Sequence, residues 1–355
     1  MKSTLRKLLP HSVIQKLIKT KSSFDNFIYP FFAKSRFGSA FYFCFFSTQF
    51  YREHQAVLQG RVNYKASLKK IESSSILLRR NIHRLEKGLI MKPRKKIFAE
   101  SYIQESVECY KKCSEVPFFC QKELKWAADV LIKYFHIVDS SKVTDRARLL
   151  FQRVTIAKSK DTELSLPYLH SERVVSGISD IQLHQLFKQR RSVRWYKDKK
   201  VDIKLIHRAV EMAAQAPSAC NRQPFQFYTF TDPKKASEIA AIPMGTKGFS
   251  ENIQALIVIV GDLSAYPKER DRHLIYLDGG LVAMQLMLAF ESLGLSTCPI
   301  NWPDIETYEK RMDKALNLEL NKRPIMLMAV GYGDESGGIP FSQKKSAQQL
   351  IKEID

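Results

Sequence analysis

Cysteine is scarce in this chain: Cys44, Cys109, Cys113, Cys120, Cys220 and Cys298 are the only six in 355 residues. Cysteines so few and so irregularly spaced exclude a disulfide framework and fit packed thiols in a reducing compartment. Cys109 and Cys113 stand at helical i, i+4 spacing, but no histidine or second cysteine pair completes a zinc pattern, so no metal site is expected. Long apolar runs are missing too. Lys34 and Arg36 interrupt the aromatic stretch from Phe27 to Tyr51, and the uncharged remainder, Phe37 to Phe50, is well short of the ~20 residues that span a bilayer. Lys2, Arg6 and Lys7 are not followed by an uninterrupted apolar segment and a small-residue cleavage site, so no secretory signal is read and a cytoplasmic location is expected. The chain also lacks a G-x-G-x-x-G dinucleotide fingerprint. Acidic residues are nearly absent from one end, where residues 1–70 hold thirteen Lys/Arg against Asp25 and Glu53.

What is present describes a globular protein, 45% hydrophobic and 26% charged, with room for two domains of about 100–200 residues. The formal net charge is +21, and about half of it lies in the first fifth of the chain. Such a basic arm suits anionic lipid or another polyanion. A basic amphipathic start followed by aromatics is also the pattern of a helix lying in a headgroup layer, which implies peripheral contact with the inner face of a membrane. An aromatic surface packed on the protein's own core explains the same pattern, as does a solvated basic helix. Nucleic acid is not expected as a partner, because net charge is its sole support and no recognition motif accompanies it.

From about Lys65 to Lys158 apolar residues recur every three or four positions, predicting helices near Ile76–Gly88, Phe98–Cys113, Leu124–Ile137 and Ala147–Ala157. A polar stretch from Lys158 to Ser179, with Pro167 and Gly177, marks a boundary. Three segments are therefore expected: a basic, aromatic-rich arm over 1–70, a helical domain over 71–180, and a domain of alternating helices and strands over 181–355. In the last, Ile203, Ile206, Val210 and Ala213 form one helical face after Asp202, and Pro217 stops it. Phe225–Phe230, Ala255–Gly261 and Ile325–Val330 read as strands, the second apolar enough to be buried on both faces. Leu281–Leu293 reads as a buried helix and Ile305–Leu318 as an amphipathic one. The fold class is α+β, a sheet flanked by helices behind a mostly helical amino-terminal part.

Two stretches carry chemistry. Gln189-Arg190-Arg191-Ser192-Val193-Arg194 gathers three guanidinium groups and a hydroxyl, the donors a phosphate needs for charge-assisted and bidentate bonds. Ala216-Pro217-Ser218-Ala219-Cys220-Asn221-Arg222-Gln223-Pro224 ends a helix and follows it with small polar residues, so main chain and an amide approach a flat, polar-edged ligand closely.

R-R-S-x-R followed by A-P-S-x-x-N-x-Q-P resembles the nitroreductase family of FMN-dependent oxidoreductases. Asp278-Gly279-Gly280, Leu293-Gly294-Leu295, Cys298-Pro299-Ile300-Asn301 and Gly331-Tyr332-Gly333 follow in the family's order, and the likeness covers roughly 182–355. It implies the nitroreductase-like fold, with a mixed sheet, and a homodimer holding flavin at its interface. Arg190 and Ser192 would hold phosphate or ribityl oxygens with Arg191 and Arg194 as neighbours, and Lys344 or Lys345 would add charge. Pro217, Ser218, Ala219 and Asn221 match the loop that meets the isoalloxazine ring, and Pro299, Ile300 and Asn301 the segment covering another part of it. Lys247 would set a cation near the flavin pyrimidine edge. Gln223 and Cys220 are as readily structural, and Asp278 reads as a helix N-cap.

The resemblance further implies ping-pong turnover, with NADH or NADPH delivering hydride to flavin N5 before a small-molecule acceptor takes the electrons. No side chain acts as catalyst in that scheme; the flavin carries the redox step. His83-Arg84-Leu85-Glu86-Lys87-Gly88 is similar to a helical extension on family members associated with bacterial surface-polysaccharide gene clusters, and reads equally as a charge network at a helix end. The competing expectation is a non-catalytic flavin-fold dimer, a scaffold whose basic arm binds a membrane or polyanionic partner.

Overall fold

The computed structural model describes residues 10–154 and 162–354. Lys2, Arg6 and Lys7, the expected helix end at Ala157 and the start of the polar boundary at Lys158 lie outside those residues. The chain forms two compact units, one up to His54 and one from Gln55 onward.

The first unit is a pair of helices, α1 (His11–Phe32) and α2 (Arg36–Phe45). Ser35 starts α2, its Oγ accepting the Gly38 amide at 2.9 Å. The buried Tyr42 ring fixes the pair, lying 5.5 Å from Tyr29, 5.7 Å from Phe32 and 6.0 Å from Phe46 between centroids. Phe24, Phe31 and Phe45 face solvent, as do Phe27 and Phe37, each 81% exposed. The unit thus has an aromatic core of its own and a separate aromatic surface.

The second unit takes in the rest of α3 (Tyr51–Ser67) and then a helical cluster: α4 (Ile76–Leu89), α5 (Ile103–Ser114), α6 (Gln121–Ile137) and α7 (Lys142–Gln152). Leu78, Ile82, Leu85, Val107, Tyr110 and Leu131 form its core. Two of these helices begin away from their apolar periodicity. Residues 98–102 are spent on turns, with Ala99 at φ 65°, so α5 starts at Ile103 rather than Phe98. The Ser141/Thr144 capping box starts α7 five residues before Ala147. Three side chains of His83–Gly88 meet local partners: Glu86 accepts Trp126 Nε1 at 2.8 Å and meets His83 Nδ1 at 3.3 Å, and the Arg84 guanidinium lies 3.6 Å from the Tyr102 ring centroid. These contacts support the charge-network reading of that helix end.

After α8 (Asp180–Gln189) and α9 (Ile203–Ala213) comes the sheet, β1 (Phe225–Phe230), β2 (Ala255–Asp262), β3 (Ser296–Asn301) and β4 (Lys322–Gly331), in the order β1-β2-β4-β3. The four strands pair antiparallel, and a bridge between Ser192 and Thr297 adds a parallel contact at the β3 edge. Side chains alternate between two layers. Ile257, Ile259, Met328 and Val330 pack with α9 and with the long helix Leu274–Ser292; Leu256, Val258, Leu327 and Ala329 pack with Pro233–Ala240 and Glu306–Leu316. We number these helices α10 (Pro233–Ala240), α11 (Leu274–Ser292) and α12 (Glu306–Leu316). The architecture is the α+β class read from the sequence.

One reading changes here. Asp278 is not an N-cap: α11 starts at Leu274, because Leu274-Ile275-Tyr276-Leu277 extends the apolar helix backward, and Asp278 sits buried inside it. Gly279 beside it lets α11 approach β4, since a Cβ there would lie 2.6 Å from Ile325 Cδ1. Glu269–Ser292 is long and apolar enough to cross a membrane by composition, but half of its apolar window is buried, as befits the core helix of this unit.

Candidate cofactor site

The arginine segment is built onto the sheet edge. α8 ends at Gln189, and the chain runs extended past β3, where the Val193 amide donates to the Thr297 carbonyl at 3.0 Å and Ser192 bridges Thr297. Tyr196 pins the far end: its ring covers Gly331, where a Cβ would meet it at 2.6 Å, its hydroxyl donates to the Val193 carbonyl at 2.7 Å, and its backbone exchanges two bonds with the Asn252 amide, at 2.5 and 3.0 Å. Burial holds the Tyr196 hydroxyl well above its ordinary pKa, so it stays a neutral donor.

Arg190, Arg191, Ser192 and Arg194 are all partly buried along this segment. Arg194 donates to the Ser192 carbonyl at 3.3 Å, and its guanidinium lies 5.8 Å from the Phe249 ring centroid. Among the described residues, Arg190 Nε and Thr297 Oγ1 are buried with no hydrogen-bond partner. An unsatisfied buried donor costs about 1–3 kcal/mol, so two of them, one on the Ser192–Thr297 bridge and one two residues before Ser192, fit an anion with several acceptor oxygens. A flavin phosphate has that chemistry.

The second segment is a tight loop after α9. Asp278 Oδ2 accepts both the Ser218 hydroxyl, at 2.8 Å, and the Ala219 amide, at 3.0 Å. Ser218 Oγ in turn accepts the Gln223 amide at 2.8 Å, and Gln223 Nε2 donates to the Ala214 carbonyl at 3.0 Å. Between these ties Cys220, Asn221 and Gln223 all take left-handed conformations, with φ of 54°, 53° and 50°. Non-glycine residues adopt that region rarely, and such clusters persist where the surroundings over-determine them, commonly at ligand sites. Gln223 therefore has a structural role in holding the loop, whatever else it does.

The remaining candidates divide. On β3, Cys298 and Ile300 turn into the core, while Pro299 is half-buried and Asn301 exposed on the opposite face. Burial raises the Cys298 thiol pKa, against a smaller opposite pull from Arg194. Ile300 thus offers only its backbone to a ligand. Lys247 is exposed in a loop framed by Gly245 and Gly248, at φ 93° and 95°, two residues from the Phe249 ring beneath Arg194. Pro217 is exposed at the start of the ring loop. Lys344 and Lys345 lie on an exposed carboxy-terminal arm.

Two contributors escaped the motif reading: Thr297 stands one residue before the recognised Cys298, and Arg79 reaches the loop from the helical cluster. Asp278 lay within the recognised Asp278-Gly279-Gly280 motif but was read as a helix N-cap.

The α+β unit thus carries an unsatisfied arginine nitrogen and threonine hydroxyl at its sheet edge and a strained polar loop after α9. The family model described as nitroreductase family matches residues 187–254 and 236–332, within the carboxy-terminal half of the chain. A Bacillus subtilis protein, YdgI, whose name describes an NAD(P)H nitroreductase, is 26% identical over 191 residues, covering 43% of this chain and 89% of its own. The iodotyrosine deiodinase of Thermotoga neapolitana is 27% identical over 177 residues, with the same 43% and 89% coverage. A nitroreductase family protein of Streptococcus pneumoniae, known as a crystal structure, is 25% identical and superposes with a TM-score of 0.42 over 48% of this chain and 100% of that one.

Proposed function

We propose that the chain is an FMN-dependent NAD(P)H oxidoreductase that works as a homodimer and passes electrons to a small-molecule acceptor. The observation that carries this reading is the pair of orphaned buried donors, Arg190 Nε and Thr297 Oγ1, the second on the residue that bridges Ser192. FMN, when bound, supplies the two-electron chemistry, taking hydride from NADH or NADPH and returning electrons to the acceptor. The chain's own work is placement. Arg190, Ser192 and Arg194 hold the phosphate, with Arg191 and Lys344 or Lys345 adding charge. The loop Pro217–Asn221 presents amide and main-chain groups to the ring edge, Pro299 and Asn301 cover another part of it, and Lys247 sets a cation near its pyrimidine end. A second copy supports the site: Leu277, Leu281 and Met284 form an exposed apolar stripe on α11, and Phe341, Ile351 and Ile354 expose further apolar surface on the carboxy-terminal arm.

The purified protein is expected to show oxidised-flavin absorption that bleaches on anaerobic addition of NADH or NADPH, and to sediment as a dimer. A colourless protein that does not take up FMN overturns the oxidoreductase reading in favour of a scaffold; a monomer overturns the interfacial site.

A second reading concerns location, and the exposed aromatics of α1 and α2 favour it. Phe24, Phe27, Phe31, Phe37 and Phe45 share their unit with Lys16, Lys19, Lys34 and Arg36, and Asp25 is the only acidic residue among 10–52. Aromatic wedges with a basic rim suit an anionic bilayer surface, where each nearby cation contributes about 1 kcal/mol. The acceptor in this reading is a glycan-linked or lipid-linked intermediate at the cytoplasmic face. The full chain is expected to co-sediment with vesicles of phosphatidylcholine and phosphatidylglycerol. Substituting Phe27, Phe31, Phe37 and Phe45 with serine should lower that binding at least tenfold and leave flavin reduction unchanged. Undiminished vesicle binding by the variant would sink the membrane reading.

A further inference from the structure

The loop that follows α9 is held from two sides, and one of them lies in the helical cluster. Arg79, on α4, donates Nε to the Asn221 carbonyl at 3.0 Å, Nη2 to Gln223 Oε1 at 2.8 Å and Nη1 to Glu123 Oε2 at 3.2 Å. Glu123 is itself fixed, its side chain 4% exposed and accepting the Ser74 hydroxyl at 2.7 Å and the Ser75 amide at 3.0 Å. Three acceptors in three directions use the planar fork of a guanidinium; the single ammonium of a lysine cannot reach them together. Two of the three belong to residues in left-handed conformations, Asn221 and Gln223. Asp278 anchors the beginning of the loop and Arg79 its end, so the strained middle is fixed by groups from both halves of the unit.

We infer that Arg79 is a positioning residue for the flavin loop, and that through it the helical cluster sets the shape of the cofactor site. The inference rests on reading 217–221 as the ring loop. It gives the helical segment a direct role in the reductase: whatever shifts α4 or α6, such as an acceptor bound against the helical cluster, shifts the Asn221 amide as well.

The test uses the full chain and three variants: Arg79→Ala, Arg79→Lys, and the double variant Arg79→Met with Glu123→Gln, which removes the buried carboxylate charge with its partner. FMN affinity is read by quenching of flavin fluorescence, the ring environment by visible circular dichroism of the bound flavin, and the loop by amide hydrogen exchange over 219–223. All three variants are expected to fold, bind FMN at least tenfold more weakly, alter the visible dichroism, and exchange the loop amides at least tenfold faster. Folded variants with wild-type affinity and wild-type exchange overturn the inference, as does full restoration of both by lysine. If the wild-type protein binds no FMN, the flavin reading falls separately. The exchange comparison then decides alone, faster loop exchange supporting the clamp and unchanged exchange overturning it.

Discussion

Replacing Arg190 and Ser192 together by alanine is expected to weaken FMN binding at least a hundredfold while leaving the fold intact. A hydrogen bond to a charged group contributes about 1.5–3 kcal/mol, and both side chains face an anionic phosphate, so the pair is worth roughly 3–6 kcal/mol. At about 1.4 kcal/mol per decade, that is a loss of about two to four orders of magnitude in affinity. Folding should suffer little, because Arg190 Nε has no protein partner to lose and the segment is fixed through main-chain bonds to β3 and through Tyr196. Titration of flavin-free protein with FMN, alongside a thermal melt, checks both halves. Unchanged affinity in the double variant overturns the phosphate assignment; lost affinity with a melting temperature near wild type supports it.

The separation of binding from folding reflects what was legible in the sequence. Ala255–Gly261 and Ile325–Val330 were plain as strands because both are short, uninterrupted apolar runs of the kind a sheet buried on both faces requires. The arginine segment and the polar loop were legible because side-chain type at fixed spacing is what an anion or a flat ligand requires. Three things were not. The true start of α11 lay behind residues whose apolar character suits a core strand or a core helix equally, so Asp278 looked like a beginning rather than a middle. The orphan state of Arg190 Nε and Thr297 Oγ1 is a property of packing across the β3 edge, on which sequence spacing is silent. Arg79 lies 142 residues from Asn221 in the chain, and no local pattern distinguishes it from an arginine on a solvated helix face. Sequence showed which groups are available; the fold showed which of them lack a partner.

The strain in the ring loop sharpens this point. Left-handed non-glycine residues cost of order 1–3 kcal/mol each, and Cys220, Asn221 and Gln223 follow one another within four positions. A chain free to relax would not hold them. Asp278, Ser218, Gln223 and Arg79 form a continuous chain of bonds along the loop. The conformation presents Asn221 and the backbone beside it, which is what a ligand edge needs in place before it arrives.

Asp278→Ala is therefore expected to be the most damaging single change in the loop's support. It removes two hydrogen bonds to one carboxylate oxygen and leaves the Ser218 hydroxyl and the Ala219 amide seeking new partners beside a buried helix. The loss should be about 2–4 kcal/mol, less than the sum of two charged bonds because the half-buried loop can recruit water. For a unit of this size each kcal/mol lowers the melting temperature by about 2–4 °C, which makes the effect easy to read. FMN affinity should fall at least tenfold, since in the proposed site the main chain that Asp278 fixes is the part offered to the ring. Asp278→Asn separates geometry from charge. The same oxygen that accepts both bonds in the carboxylate is present in the amide, so the asparagine variant should recover most of the stability and affinity that alanine loses. A melting temperature and FMN affinity that alanine leaves untouched would show that the loop keeps its left-handed turns without the helix beneath it, and the account of the site as a strained loop held from α11 would fail.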